Sequence, residues 1–393
     1  MREPRVMIVA GEASGDLHAA GLVEAARRLR PGIRFTGIGG GRMREAGVEI
    51  LVDAGELAVV GLVEILAHAG PIWRAWRTAT RHLETRRPDV LVLVDYPGFN
   101  LLLARRARAL GIPVFYYILP QVWAWRRSRV RKIRRRVSRA AVILPFEEDF
   151  FRAHGVEARF VGHPLLDHLR VQAPREELRR RFNLPPEARV VGLLPGSRYG
   201  ELRRLLPVLV DTAVELHRRR PDLRFLLPLA PAFRPEAIRA LPAFQREGAR
   251  EIPLTLVHRR TYEAMAACDA LVAASGTVTL EAAILGVPMV VVYRMAPTSY
   301  WLARRVVKIP FASLVNLIAK RQVVPEIFQE DVNPDRLTAE VLDLLENEER
   351  RRQVTWGLKE VRAALGNPGA SDRAAAMLLD LLPREAAEET PAG

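Results

Sequence analysis

The sequence predicts an α/β protein of two doubly wound domains, each a parallel sheet covered by helices. Three observations predict it. Apolar runs of strand length recur in both halves, and they are continuous rather than alternating, as in strands buried on both faces. Amphipathic segments of helical period separate them. Turns rich in glycine or hydroxyl residues follow several runs, at the edge where doubly wound sheets bind ligands. The 393 residues suffice for two domains of ordinary size, and 49% hydrophobic with 27% charged content fits a packed core.

Arg5 to Ala10 is the first predicted strand, and Gly11-Glu12-Ala13-Ser14-Gly15-Asp16 a tight loop after it. A helix follows, with Leu22, Ala26 and Leu29 on one face. Ile33 to Ile38 is the next strand, ending in three glycines. The loop spacing is G-x-x-x-G, no acidic residue ends the second strand and no Walker lysine is present, so no dinucleotide cofactor is expected. The loop is still placed to line a ligand crevice. Residues 56–77 are apolar for a surface segment, but Glu64, His68 and Pro71 exclude a spanning helix. They read as core, or as a membrane- or acyl-facing surface with Trp73 and Trp76 beside Arg74 and Arg77.

Val90 to Val94 is a strand that ends at Asp95. A carboxylate there points into the crevice, which makes Asp95 the first general-base candidate; the rival reading is a cap on the next helix. Pro113 to Ile118 is another strand. Trp123 and Trp125 then precede seven arginines and a lysine within residues 126–136. That reads as an interfacial anchor for anionic lipid, against RNA binding or a solvated helix face. Ala141 to Leu144 and Arg159 to Val161 complete an N-terminal domain of residues 1–168, with a helix opening at Glu147 between them.

Residues 164–188 form a proline-rich connection. Val190 to Leu194 opens a C-terminal domain, residues 186–346, and runs into Gly196-Ser197-Arg198. A glycine, a hydroxyl and an arginine at a strand end make a phosphate grip. Further strands are Arg224 to Leu229, Pro253 to Val257, Ala270 to Ala274 and Met289 to Tyr293. Between the last two lie Ser275-Gly276-Thr277 and a short helix that stops at Gly286. Orphan N–H groups at the helix start, with two hydroxyls, make a second phosphate seat, or else a plain helix cap. Glu281, one turn on and on the same face, is placed to accept hydrogen bonds from a ribose. Asn316 is a candidate polar contact to the ligand. Residues 347–383 read as helices packing across the domains or onto a partner subunit, with a homodimer one outcome; 384–393 read as disordered.

Cys268 is the one cysteine, which excludes a disulfide framework and fits a reducing compartment. The chain enters a core strand straight after Met1 to Arg5, so no signal peptide is expected, and no run of 18 apolar residues appears. The net charge of +15 favours anionic partners.

Two α/β halves facing a cleft, with paired phosphate grips only in the second, place a nucleotide on the second and an acceptor on the first. No D-x-D or carboxylate cluster is present to hold a metal, so Arg198 and helix N–H groups must stabilise a departing diphosphate. These features describe a two-domain, metal-independent nucleotide-sugar glycosyltransferase.

The sequence also resembles the lipid-A-disaccharide synthase family. The matching runs are Val-Ala-Gly-Glu-Ala-Ser-Gly-Asp (9–16), Val-Val-Gly-Leu-Val-Glu (59–64), Val-Trp-Ala-Trp-Arg (122–126), Leu-Pro-Phe-Glu (144–147), Val-Gly-His-Pro (161–164), Leu-Pro-Gly-Ser-Arg (194–198), Ala-Ser-Gly-Thr (274–277) and Tyr-Arg-Met (293–295). The resemblance implies the GT-B arrangement of two Rossmann-like domains. It implies transfer of 2,3-diacylglucosamine from UDP to the 6-hydroxyl of 2,3-diacylglucosamine 1-phosphate, with inversion, by a peripheral enzyme on the cytoplasmic face of the inner membrane. Arg198 matches a family arginine expected at the diphosphate. Ser14, Gly15, His18, Gly196, Ser197, Ser275, Gly276, Thr277, Glu281 and Asn316 are the expected substrate contacts. Many relatives carry Asp-x-Pro-Asp-Phe-Asn where this chain has Gly98. The base is then Asp95, or one of Glu12, Asp16 and His18. The rival readings are a related UDP-N-acetylglucosamine transferase or epimerase and, from another class, a basic nucleic-acid-binding protein.

Overall fold

The computed structural model describes residues 3–56, 69–125, 128–296, 300–301, 305 and 309–383. Most of the apolar 56–77 segment, Arg126, Arg127 and the tail 384–393 lie outside the described residues. The chain divides into two compact units, Met1–Asp167 with Gly366–Gly393, and His168–Leu365.

The first unit is built on a seven-stranded parallel sheet in the order β3-β2-β1-β4-β5-β6-β7. The strands are β1 (Arg5–Ala10), β2 (Arg34–Gly39), β3 (Glu49–Asp53), β4 (Val90–Val94), β5 (Val114–Tyr117), β6 (Arg139–Val142) and β7 (Ala158–Phe160). Alternate residues of β1 face opposite layers, as a period of two requires. Met7 and Val9 pack with Ala75, Ala79 and Leu83 of the helix Ala69–Arg86, while Val6 and Ile8 pack with Leu22 and Val23 of the helix Ala13–Leu29. Gly37 of β2 has to be glycine, because a Cβ there would lie 1.7 Å from the Ile8 carbonyl oxygen. The basic run becomes the helix Ser128–Arg136, which buries Val130 and Ile133, exposes Arg131, Arg134 and Arg135, and turns Arg136 inward to donate to the Leu101 carbonyl at 2.8 Å.

Trp123 does not serve as an interfacial anchor. It is 6% exposed, its indole N–H donates to Glu147 Oε1 at 3.0 Å, and its ring meets Phe146 edge-on. Glu147 also accepts from the N–H groups of Ile143 and Leu144, and burial pushes its carboxyl up to about 7. Trp76 likewise packs inward, edge-on to Phe99, whereas Trp73 is exposed with the Arg77 guanidinium over its ring.

The second unit carries a six-stranded parallel sheet in the order β10-β9-β8-β11-β12-β13. Its strands are β8 (Val190–Leu194), β9 (Arg224–Leu229), β10 (Leu254–His258), β11 (Ala270–Ala274), β12 (Met289–Tyr293) and β13 (Glu326–Phe328). The polar helix Arg175–Arg181 is held to the sheet by Arg179, whose guanidinium lies 2.7 Å from the Asp269 carboxylate. The helix Glu348–Ala364 belongs to this unit, and the helix Ala370–Leu379 to the first. Cys268 lies just past the helix Thr261–Ala267, buried, with its thiol on the Ala264 carbonyl. Among the described residues no helix is long and apolar enough to cross a membrane.

The sequence reading had no strand for β3 or β13. Both are edge strands, and β13 spans only three residues. Neither has the continuous burial that gives central strands their apolar run.

Candidate functional site

In each sheet the strand order reverses once, and the predicted site residues gather at those switch points. In the second unit β8 pairs with β11, Leu194 opposite Ala273. The turns Gly196–Arg198 and Ser275–Thr277 therefore leave the same sheet edge side by side.

The first turn is shaped by Gly196, at φ 106°, and by Glu201 three residues after Arg198. The Glu201 carboxylate accepts from the N–H groups of Ser197 (3.1 Å) and Arg198 (3.3 Å) and lies 3.7 Å from the Arg198 guanidinium. A Cβ at Gly196 would strike that carboxylate. Arg198 itself is 63% exposed and opens the helix Tyr199–Arg219. An internal anion thus rests on the two amides of this turn. Tyr293, at the end of β12, shares this surroundings; burial and Glu201 push its hydroxyl pKa up while Arg198 lowers it.

In the second turn Ser275 Oγ donates to the Ala312 carbonyl at 3.0 Å, and Gly276 and Thr277 are exposed ahead of the helix Val278–Leu285. Gly286, at φ 70°, ends that helix as the sequence requires. Glu281 lies against Tyr262, whose hydroxyl donates to Oε1 at 3.4 Å. Burial raises the Glu281 carboxyl to about 7, with the Tyr262 hydrogen bond pulling the other way.

Asn316 is not at the surface of this site. It is fully buried, and its amide is engaged on every side. Nδ2 donates to the Val324 carbonyl (2.9 Å) and to Glu326 (2.8 Å), and Oδ1 accepts from the N–H groups of Val323 (2.7 Å) and Val324 (3.0 Å). Glu326 in turn takes the N–H groups of Ala312 and Ser313, both at 2.9 Å. The chain of contacts ends at Ser275. Asn316 braces the Ser275–Thr277 turn from inside the fold.

In the first unit β1 pairs with β4, Ala10 opposite Val94, so Gly11 and Glu12 neighbour the Asp95 turn; Ala13 to Asp16, read from sequence as part of a loop, are already the first turn of the helix Ala13–Leu29. Asp95 and Tyr96 both adopt left-handed backbone, at φ 44° and 45°. Two non-glycine residues held there store strain of the kind that collects at functional sites. What holds them is specific: the Asp95 carbonyl accepts from Asn100 Nδ2 (2.8 Å) and from the Tyr116 hydroxyl (2.6 Å). The Tyr96 ring covers Gly11, where any Cβ would come within 2.5 Å of it. Asp95 and Arg129 line a cavity of about 240 Å³ with Pro97, Ile118 and Gln121.

The other base candidates differ. Asp16 is 6% exposed and both its oxygens are taken, by the N–H groups of Gly40 (2.6 Å), Arg42 (3.0 Å) and Met43 (3.2 Å). It caps the helix Gly41–Glu45 and is no ready proton acceptor. Glu12 and Ser14 are exposed, Gly15 is buried in the first turn of the helix Ala13–Leu29, and His18 is half-buried. Glu12 and burial together raise the Tyr96 hydroxyl pKa, burial the larger cause. Beside His18, burial drives His163 down to about 3, so its ring is neutral and accepts from the Leu165 N–H.

The sequence reading missed Glu201, Tyr262 and Tyr116. Only Glu201 left a signal, its spacing of three from the helix-opening residue. Tyr262 and Tyr116 come from elements distant in sequence.

A family model described as lipid-A-disaccharide synthetase matches residues 6–379. A lipid-A-disaccharide synthase of Geobacter sulfurreducens is 48% identical over 381 residues, covering 97% of this chain and 98% of that one. One from Nitrosococcus oceani is 48% identical over 363 residues, covering 92% of each chain. Among solved structures, a UDP-N-acetylglucosamine 2-epimerase described from Listeria monocytogenes is similar at TM-score 0.62 and 15% identity, over 96% of this chain and 95% of that one; this is a likeness of fold. With the family matched from the first strand to the last helix, the chain belongs to the lipid-A-disaccharide synthases, glycosyltransferases that form the lipid A disaccharide.

Proposed function

We propose that the chain moves 2,3-diacylglucosamine from UDP to the 6-hydroxyl of 2,3-diacylglucosamine 1-phosphate in one inverting displacement. The observation that carries this reading is the pairing of β8 with β11, which sets the Gly196–Arg198 and Ser275–Thr277 turns on one edge. Two sets of N–H and hydroxyl donors with an exposed arginine suit the two phosphates of UDP. Glu281 takes the ribose hydroxyls. As the bond to the sugar breaks, negative charge grows on the departing diphosphate, and Arg198 with the amides is already aimed at it. The diphosphate displaces the Glu201 carboxylate from the Ser197 and Arg198 amides, since two anions cannot share them.

The acceptor belongs to the first unit, with its hydroxyl at Asp95 as general base. The strained Asp95–Tyr96 backbone, held by Asn100 and Tyr116, supports that role: it fixes the carboxylate's direction without a second aspartate at Gly98. Glu12, Ser14 and His18 border the same edge. The exposed Arg131, Arg134 and Arg135 of the helix Ser128–Arg136 suit an anionic membrane surface at the inner face of the inner membrane.

Incubation with UDP-2,3-diacylglucosamine and 2,3-diacylglucosamine 1-phosphate tests the reaction, with a β-1,6 disaccharide and UDP expected. Arg198→Ala is expected to lower kcat/KM by about 2–4 kcal/mol in transition-state stabilisation. Full turnover in that variant would remove Arg198 from the site.

A further inference from the structure

The helix Tyr199–Arg219 carries, next to the phosphate grip, an apolar crevice that the reaction described above does not use. Tyr199, Leu202 and Leu206 recur at helical spacing and form one wall. Leu241 and Ala243, entering the short turn Pro242–Gln245, form the other. The cavity between them is about 230 Å³. Its floor is made by Leu202, Leu206 and Ala243, all at most 4% exposed, whereas Tyr199 at the upper end is 64% exposed. Arg246 at the rim is paired with Asp211, and the exposed Arg203 borders the crevice on the helix side, so its apolar walls and floor rather than its rim set what it takes.

Position identifies the occupant. Tyr199 follows Arg198 directly, so the crevice begins where the diphosphate grip ends. From Tyr199 to Leu206 the helix rises about 10 Å, the length of a stretch of hydrocarbon rather than of a single ring. The sugar on a UDP donor is bonded to the second phosphate, and acyl groups on that sugar start only a few bonds from it. We propose that this crevice receives an acyl chain of the donor sugar, and so lets the nucleotide-binding unit read the lipid part of its own substrate. The inference rests on the reading that the donor is a UDP-acylglucosamine.

The test is the chain-length dependence of donor affinity. UDP-diacylglucosamines with chains short enough to stay monomeric are titrated, with UDP alone as reference, against the full chain and its variants Leu241→Asp and Tyr199→Ser. Each methylene taken into an apolar site tightens binding about fourfold. The wild type is expected to show that slope until the crevice is filled. Both variants are expected to flatten it while keeping wild-type affinity for UDP, which also reports that they are folded. Variants that bind UDP normally and retain the wild-type slope overturn the crevice. A wild type that binds acylated donors no better than UDP overturns it too. If the slope is lost in the variants but no disaccharide forms in the wild type, the crevice stands and the transfer reading falls. If disaccharide forms and the slope is unmoved, the reverse holds.

Discussion

Glu281, proposed above to hold the ribose, is a side chain whose charge is set by burial. A carboxyl withdrawn from water resists ionisation, and here burial lifts it to about 7 against the pull of Tyr262. A ribose diol donates best to the ionised form, which has only acceptors. Affinity for a UDP-sugar is therefore expected to fall as pH drops below about 7, approaching tenfold per pH unit. A UDP-sugar is the proper probe, because free UDP carries a terminal phosphate that titrates near pH 6 itself. Glu281→Gln is expected to bind more weakly and with no pH dependence in that window. The effect on stability has the opposite sense. A carboxyl whose folded pKa exceeds its unfolded value stabilises the fold fully below the unfolded value and loses that contribution as pH rises through the folded one. Calorimetric titration between pH 5.5 and 8 reads the binding effect; a flat wild-type profile would detach Glu281 from the ribose.

At the scale of elements, the sequence exposed what is periodic or continuous and concealed what depends on facing. Central strands such as Val90–Val94 and Ala270–Ala274 appear as unbroken apolar runs because both their faces are covered. The edge strands β3 and β13 have no such run. The turns after β1, β4, β8 and β11 were legible as turns at the carboxyl edges of the two sheets, since a glycine- or hydroxyl-rich stretch after an apolar run marks a strand end whatever the helices do. Side-chain direction was not legible. Asn316 is polar and was a candidate contact, yet it points into the core and joins the helix Leu314–Ala319 to β13 through Glu326. Asp16 and Trp123 turned inward in the same way, each to complete a hydrogen bond inside the first unit. Asn316→Ala leaves the Val323 and Val324 N–H groups and the Glu326 carboxylate short of partners. A loss of about 3 kcal/mol is expected from the denaturant midpoint. Because Glu326 holds Ala312, which holds Ser275, KM for the UDP-sugar is expected to rise as well. Unchanged stability would contradict the network; unchanged KM would separate it from the phosphate seat.

At the scale of the whole molecule, the two units are unequal in how the chain builds them. The second is one continuous segment, His168–Leu365, and it contains the Gly196–Arg198 and Ser275–Thr277 turns, Glu281 and the Asn316 network. The first is assembled from two segments, and the later one is structural to it. Ala374, Ala375, Met377 and Leu378 of the last helix lie in the same buried layer as Leu22, Val23 and Ala26. Around that layer Arg28 pairs with Asp372 at 2.6 Å, Arg139 with Asp380 at 3.0 Å, and Arg373 donates to the Val161 carbonyl at 2.8 Å. Exposed ion pairs of this kind add little, so the apolar face of the helix carries the attachment. It follows that 168–365 expressed alone is expected to fold cooperatively and bind UDP, while 1–167 alone is expected to expose the apolar face of the helix Ala13–Leu29 and aggregate or bind a hydrophobic dye. Adding a synthetic 366–383 peptide to 1–167 is expected to restore a sharp thermal transition. A cooperative transition in 1–167 without the peptide would mean that the last helix only decorates a sheet already complete.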